Sequence, residues 1–187
     1  ALGEWVLRGA CRTAATWPIA YAVSVNVSTV QFQVATLPDL VATVLAETDL
    51  HPSRLELEIT ESVLMKDRAS ALHTLNRLKA LGVRIVMDDF GTGYSSLSNL
   101  QSFPFDKIKI DRSFIGAIED DEAARSIIRA IVGLGRGLNL PVVAEGVETE
   151  AQRRMVADEG CPQAQGFLFG RPGSAPVFPE RSEAQAA

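Results

Sequence analysis

Residues 83–97 read VRIVMDDFGTGYSSL, and this stretch decides the fold. Its first five residues, Val83 to Met87, form a short apolar run rich in β-branched side chains, the composition of a buried strand. Asp88 and Asp89 follow at once, and then a loop carrying Gly91 and Gly93. The stretch therefore reads as a strand that delivers two adjacent carboxylates to its C-terminal end.

The same layout recurs on both sides. Upstream, Ala22 to Val27 (AVSVNV) reads as a strand with Asn26 near its end, and Arg54 to Ile59 (RLELEI) as a strand leading into Glu61. Downstream, Lys107 to Ile110 runs into Asp111-Arg112-Ser113, and Val142 to Ala144 runs into EGVET. A sixth strand is expected over Gly166 to Phe169, preceded by Gln165.

Helical patterns fill the intervals. Leu2, Val6, Ala10 and Cys11 recur at helical spacing, so Leu2 to about Ala15 reads as a helix closed by Trp17-Pro18. A second helix is expected from about Leu37 to Glu47, with Pro38 in its first turn. A third spans about Arg68 to Leu81, with Gly82 as a left-handed cap. A long helix from about Glu122 to Leu138 is expected to turn Ile127, Ile128, Ile131 and Leu134 inward. Thr149 is suited to cap the helix after the fifth strand.

Strand alternating with helix argues for an α/β fold with parallel strands. A TIM-like (β/α) barrel fits, but six units fall short of the eight that close one in about 250 residues. An open doubly wound sheet is the rival. Against it, no strand runs into a GxGxxG or GxxxxGK[ST] turn.

Composition narrows the partners. The 187 residues are 47% hydrophobic and 22% charged, an ordinary globular balance. Lys plus Arg number 18 against 23 Asp plus Glu, a net charge of −5, which argues against a broad surface for duplex nucleic acid. No apolar run approaches the roughly 20 residues of a membrane helix. Cys11 and Cys161 match no metal or redox spacing and read as reduced core residues.

In a parallel barrel the strand C-termini share one face, where active sites are built. Asn26, Glu58, Glu61, Asp88, Asp89, Lys109, Asp111, Glu145, Glu148 and Gln165 would converge there. Taken singly, each has a structural reading. Asn26 could bond a strand end, Glu58 could face solvent, and Glu61 could complement a helix dipole. Taken together, so many carboxylates around one lysine cannot all stay ionised unaided. Oxygen ligands of this kind suit Mg²⁺ or Mn²⁺. Two such ions about 3.5–4 Å apart are a recurring device for phosphoryl hydrolysis.

The segments SVNVS, LELEITES, MDDFGTGYSSL, KIKIDRSF, VVAEGVET and AQGFLFGRP resemble the EAL domain of bacterial cyclic di-GMP phosphodiesterases. The resemblance covers residues 1–172, leaving 173–187 as an expected flexible tail. It implies hydrolysis of cyclic di-GMP to linear pGpG at a two-metal Mg²⁺ or Mn²⁺ site. It implies Asn26, Glu58, Asp88 and Asp89 as metal ligands, with Asp88 bridging. Lys109 is implied to orient the attacking water, with Asp111 in support, and Glu145 to act as general base or second-metal ligand. Glu148 and Gln165 are implied at the water network and the substrate end of the pocket, and Glu61 as anchor of the DDFGTGYSSL loop. The same resemblance implies a homodimer through that loop, a cytoplasmic location and a parent polypeptide carrying sensory or GGDEF domains.

The family's Glu-Ala-Leu motif, which carries a further metal ligand, has no counterpart, and neither do the first two strands. A fragment, a naturally short relative and strands supplied by another chain all remain open. The expectation for the chain alone is weak or no hydrolysis. A degenerate EAL domain that binds cyclic di-GMP or a protein partner is the alternative.

Overall fold

The computed structural model describes residues 2–18, 21–64, 67–92, 97–161, 163–173 and 178. In chain order the elements are α1 (Leu2–Ala15), β1 (Val23–Asn26), α2 (Thr29–Phe32), α3 (Leu37–Thr48) and β2 (Leu55–Thr60). Then come α4 (Glu61–Leu64), α5 (Arg68–Ala80), β3 (Arg84–Phe90), α6 (Leu97–Ser102) and β4 (Lys107–Ile110). Last are α7 (Arg112–Ala117), α8 (Glu122–Leu138), β5 (Val142–Glu145), α9 (Glu150–Asp158) and β6 (Gln163–Gln165).

All the strand pairings are parallel, and the sheet order is β1-β2-β3-β4-β5-β6. A doubly wound sheet reverses its strand order at a switch point. Here the order never reverses, so each crossover advances the chain one strand the same way. The result is a TIM-like half-barrel with its helices outside, as the alternation of elements predicts.

Local chemistry sets the element ends. Gly82, with φ of 90°, follows α5 in the left-handed turn expected of it. Thr149 caps α9, and Gln152 completes a capping box with it. Asp121 caps α8 by accepting from the Ala123 N–H. Gly135 lies where α8 meets β5: a Cβ there would sit 2.3 Å from the Val142 side chain. Arg54 ties α1 to the start of β1, donating to the carbonyls of Ala14 and Tyr21, each at 2.8 Å.

The core lies between sheet and helices. Leu55, Leu57, Ile59, Ile85, Ile108 and Ile110 are fully buried there, and Cys11 and Cys161 are free thiols buried in the same core. Burial pushes the Cys11 thiol up to about 11 and raises Cys161 as well, which keeps both unreactive.

Two sequence expectations need correction. The last strand is Gln163–Gln165, not Gly166–Phe169, which forms a turn. The Phe169 N–H bonds back to the Gly166 carbonyl at 3.1 Å and closes the turn, and only glycine fits at 166, where a Cβ would meet the Val147 carbonyl oxygen at 2.1 Å. Ile127 is exposed, because the face of α8 against the core is set by Ile128, Ile131, Val132 and Gly135. On α1, Leu7, Cys11 and Ala14 are buried, whereas Leu2 and Val6 are exposed.

The tail expected over 173–187 lies outside the described residues, apart from Gly173 and Phe178. Phe178 packs against Tyr21 and Trp17, with ring centroids 4.6 and 5.7 Å away.

Candidate active site

Strand periodicity builds the site. Glu56 and Glu58 are two residues apart on β2, and Lys107 and Lys109 two apart on β4, so each pair shares one face of its strand. Leu55, Leu57 and Ile108 take the opposite face and fill the core. Both acid–lysine pairs line a cavity of about 860 Å³ that Ser24, Val143, Gln163 and Gln165 also border. A second cavity of about 690 Å³, beside Val132, Arg136, Asn139 and Pro141, has no carboxylate in its wall.

The pairs form two tiers. In the lower tier, Lys107 Nζ donates to both oxygens of Glu56, at 2.9 and 2.8 Å. Ser24 donates to the same carboxylate at 3.3 Å, and Arg84 lies 3.5 Å from it. In the upper tier, Lys109 Nζ meets Glu58 at 2.8 Å, makes a short ion pair with Glu145, and lies 3.5 Å from Asp88 Oδ1.

Successive residues of a strand face opposite sides, yet Asp88 and Asp89 both reach the upper tier. The backbone explains it. Asp89 has φ of 54°, and the β3–β4 register shifts between Met87 and Phe90. This bulge turns the second carboxylate back toward the first. Asp88, Asp89 and Glu145 each offer an oxygen within 4.8 Å of the others.

The electrostatics are uneven. Burial works against the Lys109 ammonium, but hydrogen bonds and charge from Glu145 and Glu58 outweigh it and hold its pKa above the usual lysine value. Burial pushes the Glu145 carboxyl up; Lys109 opposes this, while Asp88 and Glu58 add to it. Asp89 is also raised, by burial and then by the charges of Asp88 and Asp111. Asp111 is held below its usual value despite burial, because the Ser113 hydroxyl and N–H both donate to it. Asp88 Oδ1 is buried with no hydrogen-bond partner among the described residues.

A family model for the EAL domain matches residues 1–172. The chain belongs to the EAL domain family. MucR of Pseudomonas aeruginosa, named a bifunctional diguanylate cyclase/cyclic di-GMP phosphodiesterase, is 49% identical over 175 residues, which are 91% of this chain and 26% of MucR. The solved MucR phosphodiesterase in complex with c-di-GMP matches with a TM-score of 0.89 at 48% identity, covering 91% of this chain and 71% of that one. An uncharacterized signaling protein of Caulobacter vibrioides is 60% identical over 95% of this chain and 22% of its own length. BlrP1 of Klebsiella pneumoniae, solved as a calcium/c-di-GMP complex, matches with a TM-score of 0.84 at 28% identity, over 91% of this chain and 44% of that one. The chain thus spans about a quarter of the length of the full-length relatives it matches.

Within this EAL domain, Glu58, Asp88, Asp89, Lys109 and Glu145 come together, with Asp111 beside Asp89. Asn26 stands at the end of β1, in register with Glu58, and is exposed. Gln165 ends β6 in register with Glu145, so it lies at a strand C-terminus rather than before a strand. Glu148 is exposed in the loop after β5. Glu61 opens α4, buried, and neither of its oxygens has a hydrogen-bond partner among the described residues. Residues 93–96 of the DDFGTGYSSL loop lie outside the described residues.

Sequence reasoning gave Glu56 and Lys107 no role. The signal was present: LELEI and KIKI carry their charged residues at the same two-residue spacing, so the strands offer two matched tiers rather than one.

Proposed function

We propose that this domain, with its barrel completed, hydrolyses c-di-GMP to linear pGpG with divalent cations as cofactors. The observation that carries the reading is the convergence of Asp88, Asp89 and Glu145 beside Lys109, with Asp88 Oδ1 buried, 3.5 Å from Lys109 Nζ and without a hydrogen bond among the described residues. A buried carboxylate oxygen without a hydrogen bond, at the meeting point of three acids, is what a hard cation would satisfy. The likeness to the MucR phosphodiesterase and to a calcium-bound relative supports the same assignment.

In this reading Asn26, Glu58, Asp88 and Asp89 would hold Mg²⁺ or Mn²⁺, with Asp88 as the shared ligand. Bound cations would neutralise phosphate charge and activate a water for in-line attack. Lys109 offsets charge at the phosphoryl oxygens. Glu145 accepts a proton or serves the second ion. Asp111, fixed by Ser113, supports Lys109 from beside Asp89. Gln165 and Glu148 border the substrate end, and Glu61 holds the loop after β3. That loop forms the homodimer contact, and the domain works in the cytoplasm within a polypeptide carrying sensory or GGDEF modules. No described helix is long and apolar enough to cross a membrane.

The alternative, a binding module without turnover, has no need of this full acid–lysine constellation. The test follows pGpG by chromatography with Mn²⁺ and with EDTA. It uses this chain and the same chain extended by two N-terminal strands of an EAL domain. Turnover by the extended chain that EDTA abolishes is expected, with little from the chain alone. Tight c-di-GMP binding without turnover in the extended chain would establish the binding module instead.

A further inference from the structure

The upper tier poses a problem of competition for oxygens. The Lys109 ammonium is in close contact with Glu58 and Glu145 and lies 3.5 Å from Asp88, so its one charge faces three carboxylates. The acid group suited to a cation is Asp88, Asp89 and Glu145. Asp88 and Glu145 appear in both sets. A divalent cation and the ammonium therefore draw on the same two carboxylates, and their positive charges repel at close range.

We propose that Lys109 is the built-in counter-ion of this acid cluster: it holds the cluster together without metal and weakens divalent cation binding. This rests on the metal-dependent reading above. The lower tier shows why the duty falls to Lys109. Lys107 is held by both oxygens of Glu56, with Ser24 and Arg84 beside them, so its charge is committed to the lower tier. Glu58, Asp88 and Glu145 must be neutralised by Lys109 or by a cation. Side-chain burial limits what water can share of the task, since Lys109 and Glu58 are each only 6% exposed. The raised pKa of Lys109 agrees, because its charge is held in place rather than shed. The site is thereby tuned: the lysine that serves the reaction also sets the cation concentration at which the site fills.

The test compares the purified chain with Lys109→Met and Lys109→Arg, stripped of metal by EDTA and then freed of chelator. Mn²⁺ binding is measured by calorimetry, and folding by circular dichroism and thermal melting. Lys109→Met, of similar length and no charge, is expected to bind Mn²⁺ at least tenfold more tightly than the parent. Its metal-free melting temperature should fall, and Mn²⁺ should raise it more than it raises that of the parent. Lys109→Arg keeps the charge and should show no gain in affinity. If Lys109→Met does not fold without metal, recovery of its helical spectrum on adding Mn²⁺ supports the proposal, and failure to recover overturns it. Unchanged or weaker Mn²⁺ binding by folded Lys109→Met also overturns it, while leaving the metal-dependent function intact. No Mn²⁺ binding by any of the three also overturns it, and the same measurement on the extended chain then decides the metal-dependent reading.

Discussion

The two tiers inside the half-barrel are made from the same pieces. Each sets a glutamate of β2 against a lysine of β4, on strands that reach the interior at two-residue intervals. The lower tier is balanced: Glu56 has Lys107 on both oxygens and Ser24 and Arg84 at its edge. The upper tier is overloaded, with Lys109 facing Glu58, Asp88 and Glu145 while Asp89 stands next to them. A balanced buried pair has little left to do beyond holding its place. An overloaded one retains unspent affinity for positive charge. The contrast teaches that position along the strand, not residue type, separates scaffold from site, because only the upper tier sits at the strand C-termini.

The largest expected effect breaks the upper tier. Asp88→Asn in the extended domain should lower pGpG formation by at least about 10²–10³-fold, the scale of losing one preorganised electrostatic contact. The variant should still fold, since Asp88 makes only a 3.5 Å contact with Lys109, which keeps Glu58 and Glu145 as partners. Turnover at the parental rate would end the view that the overloaded tier is the reactive one.

Breaking the lower tier should show the opposite pattern. Lys107→Met leaves buried Glu56 with only Ser24 and the half-exposed Arg84 beside it and should destabilise the chain by up to about 3 kcal/mol. Urea unfolding checks this, and calorimetry should find Mn²⁺ affinity unchanged within about twofold. Replacing both partners, Glu56→Leu with Lys107→Met, should restore most of the loss, because a matched apolar pair removes the uncompensated charge. A lower tier that also controlled Mn²⁺ affinity would erase the distinction between the tiers.

Much of this arrangement was legible in the sequence, for physical reasons. Helices α1 and α8 and strand β4 have the bounds that spacing and end signals predict, since strong local signals mark them. The acids at strand ends pointed to one face of a barrel. What escaped was non-local or conformational. Gln163-Ala164-Gln165 carries no β-branched residue, so nothing in its composition marks it as strand β6. The Glu56–Lys107 pair joins residues 51 apart, and its tier exists only once β2, β3 and β4 lie side by side. The return of the Asp89 carboxylate to the Asp88 side depends on one backbone angle, which residue types alone do not disclose.

That angle gives the smallest of these effects and sharpens the comparison further. Among the described residues other than glycine, Asp49, Asp89 and Asn139 have positive φ. Asp49 and Asn139 cap helices, where left-handed backbone is usual. Asp89 has it inside a strand, where it re-aims a carboxylate instead of ending an element. Asparagine tolerates this conformation, whereas a β-branched residue pays a steric penalty of roughly 1–2 kcal/mol. Asp89→Asn and Asp89→Val remove the same negative charge, so the difference between their unfolding free energies isolates the backbone. Asp89→Val should be the less stable by about 1–2 kcal/mol in urea. Both should bind Mn²⁺ more weakly than the parent. Equal stability of the two would mean that the strand relaxes to regular geometry when the acid is gone, and that the carboxylate, rather than the bulge, holds the upper tier in shape.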